Sequence, residues 1–446
     1  MFKTLRNAWA QPELRSKLLY VLLIVVLYRI GCAIPVPFMN PDVQTYFTQA
    51  VSGSIFEYMS LISGSAFSQA KLFALSISPY INASIIMQLL CVAIPALERM
   101  SKEEDGRKKV TQITRFVTIA ISLVTSYGYY TYLRYGMGTS MLTDDSVFAA
   151  IVIIACYTAG SALIMWLGEK INDNGIGNGI SIILFVNIVS SAPNMISSIV
   201  SAIRTVDVAA MISLGITLVL SIALVIFVVY ITHSERRIPV QYSKRQVGRK
   251  MYGGQSSNLP LKLNMSGVMP IIFANSILAL PATIAMFVPG SAEEGTFWYG
   301  FQRLFSHTSW VYIIIFFIFI IAFAYFYIAI SFNPIEVSNN LKKNGGFIPG
   351  IRPGKPTSDY ITKSLNKVTL MGAFFLAGVA VLPLLINKIY MIIAKAAGVA
   401  EMSAGAGLGS VAFAGTSIII VVGVALETFR ELEAQMTMRH YKGFLE

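Results

Sequence analysis

Leu18-Leu19-Tyr20-Val21-Leu22-Leu23-Ile24-Val25-Val26-Leu27-Tyr28-Arg29-Ile30-Gly31-Cys32-Ala33-Ile34-Pro35-Val36 is a run of 19 residues with a single charge, Arg29. At 1.5 Å per residue a helix of that length covers about 28 Å, close to the hydrocarbon thickness of a bilayer. Lys3, Arg6, Arg15 and Lys17 precede it, as basic residues precede a secretory leader. The run is long, however, and Ala33-Ile34-Pro35-Val36-Pro37 offers no small-x-small cleavage site. It reads as a retained membrane span.

Similar runs recur along the 446 residues. The expected spans are 18–36, 76–96, 113–133, 148–168, 178–194, 209–231, 266–288, 309–332, 368–389 and 409–428. Hydrophobic residues make up 55% of the chain and charged ones 13%. Soluble domains carry roughly 25% charged residues, so this chain cannot cover a surface in water. Each span is expected to be a helix, because an open strand in lipid leaves its backbone groups unpaired.

Lys/Arg placement sets the orientation. With the N-terminus in the cytoplasm, 27 of the 34 Lys and Arg fall on the cytoplasmic side; the exceptions are Arg29, Lys71, Arg134, Arg204, Arg303, Lys388 and Lys395. Both termini are therefore expected there. The net charge of +12 is then a topology signal that needs no nucleic acid. Ten spans divide into an N-terminal half, 1–194, and a C-terminal half, 195–446. Five spans end on the side opposite their start, so the second half must run inverted, an arrangement that often encloses a central path.

Three stretches break the pattern. Segment 52–75 is apolar but interrupted by Glu57, Ser60, Ser63, Gly64, Ser65, Ser68, Gln69 and Lys71. A short helix within the protein, a re-entrant segment or a structured external loop all fit it. In Gly175-Ile176-Gly177-Asn178-Gly179 the alternating glycines permit a tight turn into the fifth span; a phosphate cradle would need a preceding strand and a following Lys-Ser/Thr, both absent from the sequence. Loops 232–265 and 333–367 are long and basic. Arg236, Arg237, Lys244, Arg245, Arg249, Lys250 and Arg352 could dock an anionic partner, or simply obey the positive-inside rule.

Cys32, Cys91 and Cys156 lie in apolar runs, and His233, His307 and His440 are scattered, so no metal or cofactor is expected. The spans hold almost no ionisable residues apart from Arg29, which is expected to be paired or to snorkel, with a pore-side role as the other reading. Glu427 closes the last span. Proton- and ion-coupled carriers usually keep such groups inside the membrane. No paired carboxylates, nucleophile and base, or NTP motif point to an enzyme. A carrier with backbone-built sites, an inverted-repeat secondary transporter of a small solute, remains the alternative to a passive conduit.

Several stretches together resemble the SecY family over nearly the whole chain. They are Tyr28-Arg29-Ile30-Gly31 with Ile34-Pro35-Val36-Pro37, Phe73–Leu90, Trp166–Glu169 with Gly175–Ile182, Arg236–Val240, Leu259–Asn264, Phe332–Pro334 and Phe347–Gly354. The resemblance implies an all-α polytopic membrane protein, ten helices in two inverted five-helix halves closing as a clamshell on a gated pore. It implies passage of preproteins across the plasma membrane and lateral insertion of membrane proteins. Its pore ring maps onto Ile77, Ile81, Ile180, Leu184, Ile272 and Ile420, with Leu184 where isoleucine is usual. By themselves, isoleucines in spans read as lipid-facing or core, and the pore role is what the resemblance implies. The family's plug, a short helix, maps onto about 60–70, including Ser60, Ser63, Gly64, Ser65, Ala66 and Phe67. The lateral gate maps onto spans two and seven, with Asn82, Ser84, Gln88, Asn275 and Ser276 as candidate polar latch residues. Implied partners are SecE and SecG subunits, the SecA motor ATPase, the ribosome, signal sequences with their nascent polypeptides, and membrane lipid. Arg352 matches the loop arginine used with the motor.

Overall fold

Each of the ten expected apolar segments falls on a helix or a broken helix in the computed structural model. It describes residues 2–40, 56–135, 141–191, 193, 200, 208–242, 245–247, 250–252, 256–288, 296–306, 309–396 and 401–442. The N-terminal half contains α1 (Phe2–Ala10), α2 (Pro12–Ala33), α3 (Glu57–Ile62), α4 (Ser78–Ala93), α5 (Pro95–Lys102), α6 (Glu104–Tyr135), α7 (Val147–Asn174) and α8 (Gly179–Ser190). The C-terminal half adds α9 (Val208–His233), α10 (Met269–Leu278), α11 (Leu280–Ala285), α12 (Phe297–Leu304), α13 (Trp310–Ser331), α14 (Pro334–Lys343), α15 (Lys355–Ala396) and α16 (Glu401–Lys442).

Among the described residues, four helices, α2, α7, α13 and α15, are long and apolar enough to cross a bilayer alone. Only 22% of the apolar window of α2 is buried, and Leu19, Leu22, Leu23, Val26, Leu27 and Ile30 face outward along its length. That surface belongs in lipid. Proline explains the broken elements. Pro95 forces Ile94 into an extended conformation (φ −109°, ψ 110°), and α4 and α5 meet at 107°. Pro281 sits in the first turn of α11, where its missing N–H costs nothing.

Helix α6 carries a buried stripe at i, i+4 spacing, Thr114, Thr118, Ser122 and Ser126, and packs on α7, whose Thr158 donates to Ser126 Oγ at 3.1 Å. Small hydroxyl residues let helices approach closely in lipid. The glycine turn also forms. Gly177 has φ +89°, and a Cβ on Gly179 would lie 2.0 Å from the Gly168 carbonyl oxygen, so α8 crosses α7 backbone to backbone. Asn178 caps α8 by accepting from Ile180 N, and Asn172 accepts from Gly179 N at 2.7 Å.

The two basic loops are not irregular. Loop 232–265 forms β1 (Glu235–Tyr242), β2 (Arg245–Val247), β3 (Lys250–Tyr252) and β4 (Ser256–Lys262), and Gly346–Phe347 forms β5. The sheet order is β4-β1-β5, antiparallel, and β2 pairs with β3. Ile238, Val240 and Leu261 turn inward against Ile348 and Ile361, while the alternate positions Arg237 and Pro239 stay exposed, as period-two alternation requires. Strand β5 pairs only with Gln241 and Tyr242, so Pro239 loses no bond on that edge.

Candidate functional site: an apolar closure between two cavities

Helices α4, α8, α10 and α16 converge at the centre. Ile77, Ile81, Leu184, Ile272 and Ile420 are buried in one apolar cluster, with Ile180 half-buried against it. All six residues expected in the ring fall in or against that cluster. Two cavities abut it; five of the six line a cavity, Ile81 and Ile272 line both, and Ile77 lines neither. One, of about 20 Å³, is lined by Met59, Leu61 and Ile62 near α3, with Asn82, Ser276 and Ser417. It has room for about one water. The other, of about 180 Å³, is lined by Ser84, Gln88, Asn178, Ile180 and Tyr327. The closure lies between them, apolar on the ring and partly polar on each side.

The lining also gives helix direction. From the ring, the second cavity lies toward later residues on α4 (Ser84, Gln88) but toward an earlier one on α10 (Met269). Those two helices therefore run in opposite directions, and they pack against each other. Alongside α4 an open groove of about 840 Å³ runs between α4–α6 and α13–α14, past Gln88, Glu98, Lys102 and Asn333. There a hydrogen bond from Lys102 and its charge hold the exposed Glu98 carboxyl below the usual carboxylate range.

The latch residues are placed at this seam, and among the described residues no hydrogen bond joins them across it. Gln88 donates to Ser84 Oγ at 3.2 Å within α4. Asn82 and Ser276 share the smaller cavity, and the buried Asn275 Nδ2 has no acceptor among the described residues. The seam is held by apolar packing.

The helix mapped to 60–70 is shorter and earlier than expected: α3 ends at Ile62, and 63–77 is a chain of turns. Gly64 (φ +61°), Ser65 (φ +70°), Ala70 (φ +48°) and Ser76 (φ +53°) take the left-handed region that a right-handed helix excludes. Ser63, Ala66 and Phe67 are buried, and Ser60, Gly64 and Ser65 partly so. Arg29 does not snorkel. Its Nη1 is enclosed beside Gly64, without an acceptor among the described residues.

Of the docking residues, Arg236 and Arg237 stand exposed on β1, where Arg237 Nε lies 2.7 Å from Glu235 Oε1. Arg245 and Lys250 fall on β2 and β3; Lys244 and Arg249 lie outside the described residues. Arg352 is exposed on a loop bounded by Gly350 (φ +81°) and Gly354 (φ +107°). That loop is pinned by Thr357 Oγ1 donating to the Arg352 carbonyl and Ser338 Oγ to the Gly354 carbonyl, both at 2.8 Å. Sequence reading missed Met59, Leu61, Ile62 and Ser417 as lining, because helical periodicity does not say which apolar face meets a cavity.

A polytopic helical protein closed at its centre by aliphatic side chains, with cavities on both sides, is built as a gated conduit. Comparison narrows the class. The SecY family model matches residues 71–429. The protein translocase subunit SecY of Streptomyces griseus is 41% identical over 100% of both chains. A solved protein-conducting channel aligns with TM-score 0.64 at 19% identity, over 94% of this chain and 92% of that one. Sec61 from a canine ribosome-channel complex aligns with TM-score 0.58 at 17% identity, again over 94% and 92%. The chain belongs to the SecY family.

Proposed function

We propose that the chain is the pore subunit of a plasma-membrane protein translocase. Polypeptides cross through the ring and leave sideways into lipid along the α4–α10 seam. The carrying observation is the convergence of Ile77, Ile81, Ile180, Leu184, Ile272 and Ile420 on one closure between two cavities. Aliphatic side chains give an ion no partner, so a narrow apolar waist seals by dewetting. Dispersion contacts are individually weak and non-directional, so the same waist yields to any passing side chain. In this reading the ten spans form two inverted halves, 1–194 and 195–446, with both termini cytoplasmic; the opposed directions of α4 and α10 support it.

Segment 60–70 is the plug, since Leu61 and Ile62 line the smaller cavity and Ala66 packs in the ring cluster. SecE and SecG complete the complex, and SecA or a translating ribosome drives transport by docking on the basic loops. The two loops form one platform through the β1–β5 pairing and their shared apolar core. Arg352→Glu reverses the charge on a pinned, exposed tip. It is expected to reduce SecA-driven translocation at least tenfold while assembly with SecE and the melting midpoint stay unchanged; normal secretion by reconstituted vesicles would remove Arg352 from the docking face.

The test of function is reconstitution with SecE and SecA, scoring ATP-dependent protection of a preprotein from protease. Protection supports a polypeptide conduit. Uptake of a small solute without either partner would support a transporter instead.

A further inference from the structure

Three side chains from three helices reach one short stretch of backbone. Tyr129 of α6 donates its hydroxyl to the Phe67 carbonyl at 2.6 Å, and Tyr157 of α7 donates to the Ala70 carbonyl at 3.2 Å. Asn187 of α8 donates from Nδ2 to the Ile62 carbonyl at 2.6 Å, where Ser76 Oγ also donates at 3.2 Å. Tyr129, Tyr157 and Asn187 are 0% exposed. Ring contacts add to it: Phe67 lies tilted 4.8 Å from Tyr129 between centroids, and Tyr129 meets Tyr157 edge-on at 5.0 Å.

The stretch satisfies itself only in part. The Phe67 carbonyl also accepts from Ala70 N at 3.2 Å, and the Ile62 carbonyl from Ser76. The Ala70 carbonyl has no backbone donor among the described residues, and a buried carbonyl without a partner is costly. Ser65, Ala70 and Ser76 also hold positive φ without being glycine, a strained backbone that persists only when its surroundings over-determine it. Separately, Leu61, Ile62 and Ala66 pack on the ring cluster, while Phe67 and Ala70 pack in the tyrosine cluster. The segment therefore bridges the closure and the wall.

We infer that Tyr129, Tyr157 and Asn187 are positioning residues that clasp segment 62–70 by its backbone carbonyls and set how readily it leaves the resting channel. This rests on reading the segment as the plug. A clasp on carbonyls does not depend on which side chains the plug carries.

The experiment compares Tyr129→Phe, Tyr157→Phe and the double variant in the complex with SecE, each substitution removing one oxygen and keeping the ring. The readouts are resting open probability in planar bilayers and the rate at which a membrane-impermeant maleimide modifies Ala66→Cys. Both are expected to rise roughly threefold to tenfold per lost bond, and by the product in the double variant, the range for side-chain hydrogen bonds in membranes. The melting midpoint should hold within a few degrees, which a merely structural role would not allow. Asn187→Leu adds a third position, and the tyrosine pair decides alone if that variant melts early. Unchanged open probability and labelling in the double variant would overturn the clasp. A channel deleted for 60–70 separates the two claims: if it leaks while the tyrosine variants stay shut, the clasp fails and the plug stands. If the deletion also stays shut, the plug reading falls.

Discussion

Replacing Ile77, Ile81, Ile180, Ile272 and Ile420 together with glycine is expected to turn a silent resting channel into one that conducts ions. Each change strips the aliphatic bulk from the closure, and Leu184 alone cannot span what five neighbours vacated. The cavity on the α3 side already has room for about one water and the other is ninefold larger, so the ring is the dry step between them. Opening it joins the cavities into a wetted path. The matching variant with valine at the five positions keeps branched aliphatic groups and should stay closed. Five glycines cost helix stability, about 0.5–1 kcal/mol each at helical positions, so conductance is read only from protein that still assembles. Equal, near-zero conductance in both variants would sink the ring assignment.

Gly179→Val is expected to abolish the fold rather than the gate. A Cβ at Gly179 would sit 2.0 Å from the Gly168 carbonyl oxygen and 2.8 Å from its carbon, and neither backbone can yield without moving a helix. Helix α8 carries Ile180, Leu184 and Asn187, so its displacement would dismantle ring and clasp together. Overpacking typically costs about 1–3 kcal/mol, and a backbone-on-backbone clash belongs at or beyond the top of that range. Gly168→Ala is the control from the same crossing. Its Cβ would meet Ile183 Cδ1 at 3.5 Å and Ile77 Cδ1 at 3.6 Å, which is ordinary contact. Detergent-purified Gly168→Ala should melt within a few degrees of the parent, whereas Gly179→Val should yield no cooperatively folded protein. Equal melting would mean that α7 and α8 do not cross as described.

The membrane-spanning helices were readable because length and apolarity decide them: Leu18–Val36 and the stretch 309–332 admit no other reading in 446 residues so poor in charge. The sheet was not anticipated, although Ile238 and Val240 carry a period-two signal. Lys and Arg dominate that loop, and the inward partners Leu261, Ile348 and Ile361 come from distant segments. The ring residues entered through likeness to a family, since an isoleucine facing a pore and one facing lipid have the same sequence signature. The clasp was invisible for a different reason. Tyr129 and Tyr157 bond to main-chain carbonyls 62 and 87 residues away, and a carbonyl leaves no mark in the sequence. The helix expected within 60–70 ends at Ile62 because Gly64, Ser65 and Ala70 adopt positive φ, a conformation that Ser and Ala do not advertise.

The central claim is that polypeptide passes through the isoleucine ring, and site-specific cross-linking of a stalled chain tests it most directly. A photoreactive residue is placed in turn at Ile81, Ile272 and Ile420, and at the outward-facing Leu22 and Phe374, with a preprotein arrested in mid-transit. The account predicts strong adducts at the three ring positions and none at the two lipid-facing ones. Adducts at Leu22 and Phe374 with none at the ring would place the path outside the closure and contradict the account.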